Sequence, residues 1–186
     1  MYQRPHTLAE VVSRVEAGVA WDIALPEFLD TFYFALRGYP GPGPQSCLDS
    51  EPAPVADPVW QGQLGAIGEH LAGRWFLTKP RWTNHPSRFL ATPHFPSGTE
   101  RYKGWYFVQS PIAFRRRMIF TEAEPLRRAR FPRAEFYERD LARGNVWTAN
   151  AVQAVFGETG PPAVQGVMPG PATNVSAAPV SAVRGQ

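Results

Sequence analysis

Cysteine is almost absent: Cys47 stands alone in the chain. An intramolecular disulfide is therefore excluded, and a cysteine-built zinc site has no ligand set. Nothing in Pro44-Gln-Ser-Cys47-Leu-Asp49 marks a depressed-pKa environment, so the thiol reads as a bystander. Long apolar runs are missing as well. No stretch approaches the ~18 consecutive apolar residues of a membrane span. The opening Met1-Tyr-Gln-Arg-Pro-His6 lacks the apolar core of a signal peptide. The expected chain makes no membrane contact and resides in the cytoplasm.

Catalytic signatures are equally scarce. There is no Gly-x-Ser-x-Gly elbow, no P-loop and no dinucleotide fingerprint. Tyr39-Pro-Gly-Pro-Gly-Pro44 is glycine-rich, but its alternating prolines cannot present the successive N–H groups of a phosphate cradle. The four histidines, His6, His70, His85 and His94, show no His-x-His or His-x-x-x-His spacing. Even with Glu69 beside His70, no local pattern assembles a metal site. His85 and His94 read as turn residues. Glu122 and Glu124 lie close in sequence, yet Thr121-x-x-Glu124 is better explained as a capping box. No catalytic residue, metal or cofactor is expected.

Proline and glycine are abundant, at 20 and 16 residues, and unevenly placed. Many fall in 38–58 and 157–186, which leaves a compact part of roughly 135 residues, an ordinary domain size. Hydrophobic residues make up 44% of the chain and aromatics 13%, enough for a core. The expected organisation is one helical domain over 1–158, interrupted by an exposed Pro/Gly-rich loop at 39–58. A disordered tail of Pro, Gly, Ala, Val, Ser and Thr follows at 159–186.

Helical periodicity supports an all-α bundle of six or seven short helices. Thr7 caps and Glu10 completes a box; Leu8, Val11, Val12 and Val15 then line one face until Gly18. A second helix, with Asp22 as a possible cap, carries Phe28, Leu29, Phe32, Tyr33 and Leu36 and ends at Gly38. Asp57-Pro58 opens a third, with Trp60, Leu64, Ile67, Leu71 and Trp75 on one face. Its glycines at 62, 65, 68 and 73 weaken it by about 1 kcal/mol each and would permit close approach of a neighbouring helix. Residues 78–98 read as irregular, with a helical turn at 86–90. Segment 99–109 suits helix or strand, and helix is preferred. Ser110-Pro111 starts a further helix through Met118, and two short helices at 133–143 and 148–156 follow.

Charge is the main functional lead. Residues 1–100 carry seven Lys/Arg against ten Asp/Glu, whereas 101–150 carry eleven against five. The basic residues concentrate at Arg115, Arg116, Arg117, Arg127, Arg128, Arg130 and Arg133, the candidate binding residues for a protein partner or for nucleic acid. Arginine's planar fork suits carboxylate and phosphate, and Trp105, Tyr106 and Phe107 just upstream could stack on bases or partner side chains. Three successive arginines spread over ~200° of a helix, so they cannot all serve one ligand. One of them could instead form a salt bridge to the acidic N-terminal half. Phe114 and Phe120 should be buried, with at least two of Arg115, Arg116 and Arg117 exposed.

Several motifs carry a resemblance. They are Trp21-Asp-Ile-Ala-Leu-Pro-Glu-Phe-Leu-Asp-Thr-Phe-Tyr33, Gly68-Glu-His-Leu-Ala72, Trp82-Thr-Asn-His-Pro-Ser-Arg-Phe-Leu90, Ser110-Pro-Ile-Ala-Phe-Arg-Arg-Arg-Met-Ile-Phe120 and Leu126-Arg-Arg-Ala129. Their spacing over about 20–130 resembles a family of small bacterial proteins encoded beside nucleotidyltransferase-like genes, in pairs that look like toxin–antitoxin modules. The Pro-Gly loop at 39–58 and the long tail depart from that pattern. The resemblance implies a non-enzymatic interaction protein, the antitoxin-like or accessory half of a two-gene module. A nucleic-acid-binding regulator using 115–133 is the alternative, and a small enzyme without a readable motif is the third reading.

Overall fold

A computed structural model describes residues 4–95 and 100–161. Those residues form an all-α fold: eight α-helical segments joined by turns and 3-10 helix, with no strand among them. The segments are α1 Leu8–Glu16, α2 Trp21–Leu36, α3 Ser46–Asp49, α4 Pro58–Arg74, α5 Lys103–Gln109, α6 Ile112–Arg115, α7 Ala134–Ala142 and α8 Ala149–Phe156. A lone parallel bridge links His94 to Ile119. The tail expected at 159–186 falls outside the described residues from 162 onward; Gly157–Thr159 close α8 with a 3-10 turn.

The first helix forms through the expected local signals. Thr7 accepts a hydrogen bond from the Glu10 N–H, and the Glu10 carboxylate accepts from the His6 N–H at 2.7 Å. Leu8, Val11 and Val12 are fully buried against α2, and Gly18 ends the turn at φ +96°. Asp22 does not cap α2: the cap position lies two residues earlier, at Ala20, and the helix begins at Trp21. Asp22 instead lies in the first turn, where its charge suits the positive helix end. Gly38 follows α2 at φ +73°, and a Cβ there would collide with the Val146 carbonyl. This close approach lets the Thr148 N–H reach the Leu36 carbonyl at 2.9 Å and seats α8 on the end of α2.

α4 runs through the middle of the fold. Asp57 accepts from the Val59 N–H, and Pro58 fills the first turn. Around it, Trp75, Tyr33 and Phe131 make edge and tilted ring contacts at 5.1–6.2 Å. The Tyr33 hydroxyl donates to the Leu126 carbonyl at 2.7 Å, which clasps 126–131 onto the core. The glycines of α4 admit neighbours, though these are loops and side chains more than helices. Gly68 faces the Trp82 ring, Gly65 faces Arg88 and Arg117, and Gly62 faces Leu90 and Ile119.

Three expectations are corrected. The 39–58 segment is not simply an exposed loop: α3 forms inside it, Cys47 and Leu48 are fully buried, and Arg88 anchors it by donating to the Pro52 carbonyl at 2.6 Å. Burial pushes the Cys47 thiol up to about 12, away from reactivity. The helix expected from Ser110 through Met118 stops at Arg115, because Met118 turns left-handed at φ +58°. Its Ile119 N–H reaches back to the Phe114 carbonyl at 3.1 Å, closing the helix end. Nor is Thr121-x-x-Glu124 a capping box: no helix follows it, and the Thr121 N–H donates to Ser110 Oγ at 2.6 Å.

Candidate interaction surface

The seven candidate arginines divide into two groups with different work. Arg117 is fully buried. Its Nη1 donates to Glu69 Oε2 at 2.6 Å and to the Ala113 carbonyl, and its Nη2 donates to the Thr83 carbonyl. Arg116 donates to Glu69 Oε1 at 2.9 Å and to Asn84. Lys79 meets the same Oε1 at 2.8 Å. Burial alone would raise the Glu69 carboxyl, but hydrogen bonds from Lys79, Arg117 and Arg116 and the Arg117 charge overturn it and hold the group below the usual carboxylate range. Part of the charge asymmetry is therefore an internal contact between the basic segment and α4. Arg115 is exposed and has no ion-pair partner among the described residues, as α6 turns it away from Glu69. Phe114 and Phe120 are buried while Arg115 and Arg116 are exposed, as expected.

The second group faces outward. Arg127, Arg128 and Arg133 line an open cleft of about 590 Å³ together with Trp105, Gln109, Glu122, Glu124 and two alanines. Pro125 and Pro132 bracket this stretch, which forms turns instead of helix. Arg127 is exposed with no ion-pair partner among the described residues. Arg128 makes a loose pair with Asp30 of α2 at 3.7 Å, and Arg133 one with Glu135 at 3.5 Å. Arg130 stands outside the cleft, over the Phe34 ring at 4.9 Å.

Beneath this stretch lies a buried ion pair with no sequence motif to announce it. Arg37 grips Asp140 with two hydrogen bonds, 2.7 and 2.8 Å, and Trp147 Nε1 donates to the same carboxylate at 2.8 Å. Burial would raise Asp140, but Arg37 and Trp147 together hold its carboxyl below the usual range. Arg37 also reaches the Arg130 carbonyl at 3.4 Å. It thus ties the outward-facing basic stretch to α2 and α7. The available signal was register: Arg37 falls four residues after Tyr33, in line with the apolar stripe of α2.

One wall of the cleft is α5, a helix with no buried residue. Trp105, Phe107 and Val108 are 48%, 57% and 74% exposed, and Tyr102 and Ile112 on either side are also exposed. The helix is fastened at its C-terminal end: Phe107 stacks on Phe120 at 5.3 Å, and the Ser110 hydroxyl that follows accepts from the Thr121 N–H at 2.6 Å. Of the exposed large apolar residues along the described chain, more than half crowd into 102–112. Scattered apolar residues are normal on a surface, so it is this concentration along one short segment that sets α5 apart.

The histidines stand apart from this surface. His85 Nδ1 meets Ser87 Oγ at 2.8 Å, His94 pairs through its backbone with Met118 and Phe120, and His70 packs edge-on against Phe114. Among the described residues, no three His, Cys, Asp or Glu side chains converge on a metal-sized site, and no helix is long and apolar enough to cross a membrane. Compared with family models, curated proteins and solved structures, the chain has no match.

Proposed function

We propose that this chain is a non-enzymatic interaction protein, and that it docks an acidic segment of a partner protein on the aromatic face of α5 and the adjoining arginine cleft. The observation that carries the reading is α5 itself. An aromatic helix in which no residue is buried among the described residues, bordering three outward arginines, combines the residue types that dominate binding energy in protein interfaces. Charge complementarity specifies the occupant: Arg127, Arg128 and Arg133 call for carboxylates, and Trp105 for an apolar or aromatic anchor.

Two features favour a protein over nucleic acid. Glu122 and Glu124 line the same cleft and would repel a phosphate backbone, whereas a peptide can answer both signs. Arg116 and Arg117 are also committed to Glu69, which removes them from any phosphate-binding row. The family resemblance implies that the partner is the product of the adjacent gene, in which this chain acts as the antitoxin-like or accessory half; that product is the first bait. The test is calorimetric titration with the purified adjacent product. Trp105→Ala and Arg127→Glu/Arg128→Glu should each weaken binding by about tenfold or more, as hot-spot losses of ~2 kcal/mol do. Sequence-selective duplex binding with a log–log salt slope that falls by ~0.9 for each arginine removed would instead establish the nucleic-acid reading.

A further inference from the structure

Three glycines of α4 are accounted for by what lies against them, and the fourth is not. A Cβ at Gly62, Gly65 or Gly68 would crowd Leu90, Arg88 and Trp82 respectively, but one at Gly73 would meet nothing within 4 Å. Gly73 is not left-handed, so the usual reason for a glycine near a helix end does not apply. It lines a pocket of about 250 Å³ between α4 and α6, with Glu69, His70, Arg74, Lys79 and Ile112 around it.

The pocket has a charged side and an apolar side. On the charged side, Lys79 and Arg116 both donate to Glu69 Oε1, at 2.8 and 2.9 Å, while Arg117 holds the other oxygen. A single carboxylate therefore faces three cations, and Arg74 adds a fourth at the rim. Lys79 is 44% exposed and uses one of its three N–H donors on Glu69, so two remain for a ligand. His70 adds a ring that burial and the Arg74 charge keep neutral at physiological pH. On the apolar side, Ile112 is 70% exposed and lines the pocket.

We infer that this pocket binds a small organic carboxylate, its anionic head on Lys79 within the field of Arg74 and its apolar body between Gly73 and Ile112. Inorganic phosphate would satisfy the cations but leave the apolar wall bare. A neutral apolar molecule would leave the excess positive charge unanswered. The site lies on α4 and α6 and shares no lining residue with the arginine cleft.

Benzoate is the probe, titrated into the full-length protein while the His70 ring resonances are followed by NMR. Saturable shifts at His70 are expected with benzoate, and much weaker ones with benzyl alcohol or inorganic phosphate. Gly73→Leu fills the pocket with a good helix former, so it should keep or raise Tm while abolishing the benzoate shifts. Lys79→Gln should weaken benzoate about tenfold, the effect of losing one charge-assisted hydrogen bond. Equal response to benzyl alcohol or phosphate, an unchanged titration in Gly73→Leu, or no shift at millimolar benzoate would each overturn the inference.

Discussion

Acidification should destabilise this protein before its carboxylates titrate, and His70 is the reason. The ring lies beside Phe114, and burial first, then the Arg74 charge, lowers it from 6.5 to about 4. Because the folded-state value is depressed, protons bind the unfolded chain first, and stability falls as pH drops through 6.5 toward 4. At 1.36 kcal/mol per unit the full loss is about 3 kcal/mol, of which about 2 kcal/mol is already gone at about pH 5. Glu69 and Asp140 are held below the usual carboxylate range, so their own contributions disappear only at lower pH. The perturbation is His70→Gln, and the assay is urea unfolding at about pH 7.5 and about pH 5. Wild type should lose about 2 kcal/mol more than the variant between the two pH values, since the other titrating groups cancel in the difference. Equal losses in both proteins would refute the burial argument for this ring.

Three further outcomes follow from packing. Phe114→Ala should cost about 3–5 kcal/mol in urea unfolding, since the ring is buried between α4 and α6 and leaves a cavity. Asp140→Asn strands the Arg37 guanidinium, whose side chain is 2% exposed, and should cost about 3–5 kcal/mol; replacing both partners with apolar residues should recover much of it. Gly68→Ala and Gly73→Ala should move Tm in opposite directions. The first drives a methyl group into the Trp82 ring, whereas the second meets open space and gains up to about 1 kcal/mol of helix propensity.

The helices most legible in the sequence were those whose caps and stripes agree. α1, α4 and α8 each begin on a residue whose side chain accepts from the first turn, Thr7, Asp57 and Thr148, and each carries a periodic apolar face. α2 lacks such a cap, so Asp22 is the nearest candidate in the sequence, two residues past the observed cap at Ala20. The interior of 39–58 was hidden by its prolines. Its order comes from Arg88, Gln61 and Trp82, which reach it from 61–88 and supply the hydrogen bonds that its own backbone cannot. The early end of α6 depends on a left-handed methionine, a conformation that sequence would assign to glycine or asparagine.

The arginines show why composition could find the basic segment but not divide it. Arg116 and Arg117 are adjacent in sequence and both reach Glu69, yet one side chain is 40% exposed and the other buried. What separates them is helical phase against α4 and the absence of a Cβ at Gly65, where Arg117 Nε passes 2.8 Å from the position a methyl group would take. A tertiary contact of that kind leaves no periodicity to read. Arg127 and Arg128 differ by the same logic: Asp30 on α2 lies within reach of one and not the other. A basic run is therefore ambiguous until the acidic residues it can reach are located. Once Glu69 has claimed Arg116 and Arg117, and Asp140 has claimed Arg37, the positive charge left facing outward beside the aromatic helix α5 is that of Arg127, Arg128 and Arg133. That remainder is three arginines and two carboxylates in a cleft walled by tryptophan, and it is on this mixed-charge lining that the proposed docking of a protein segment rests.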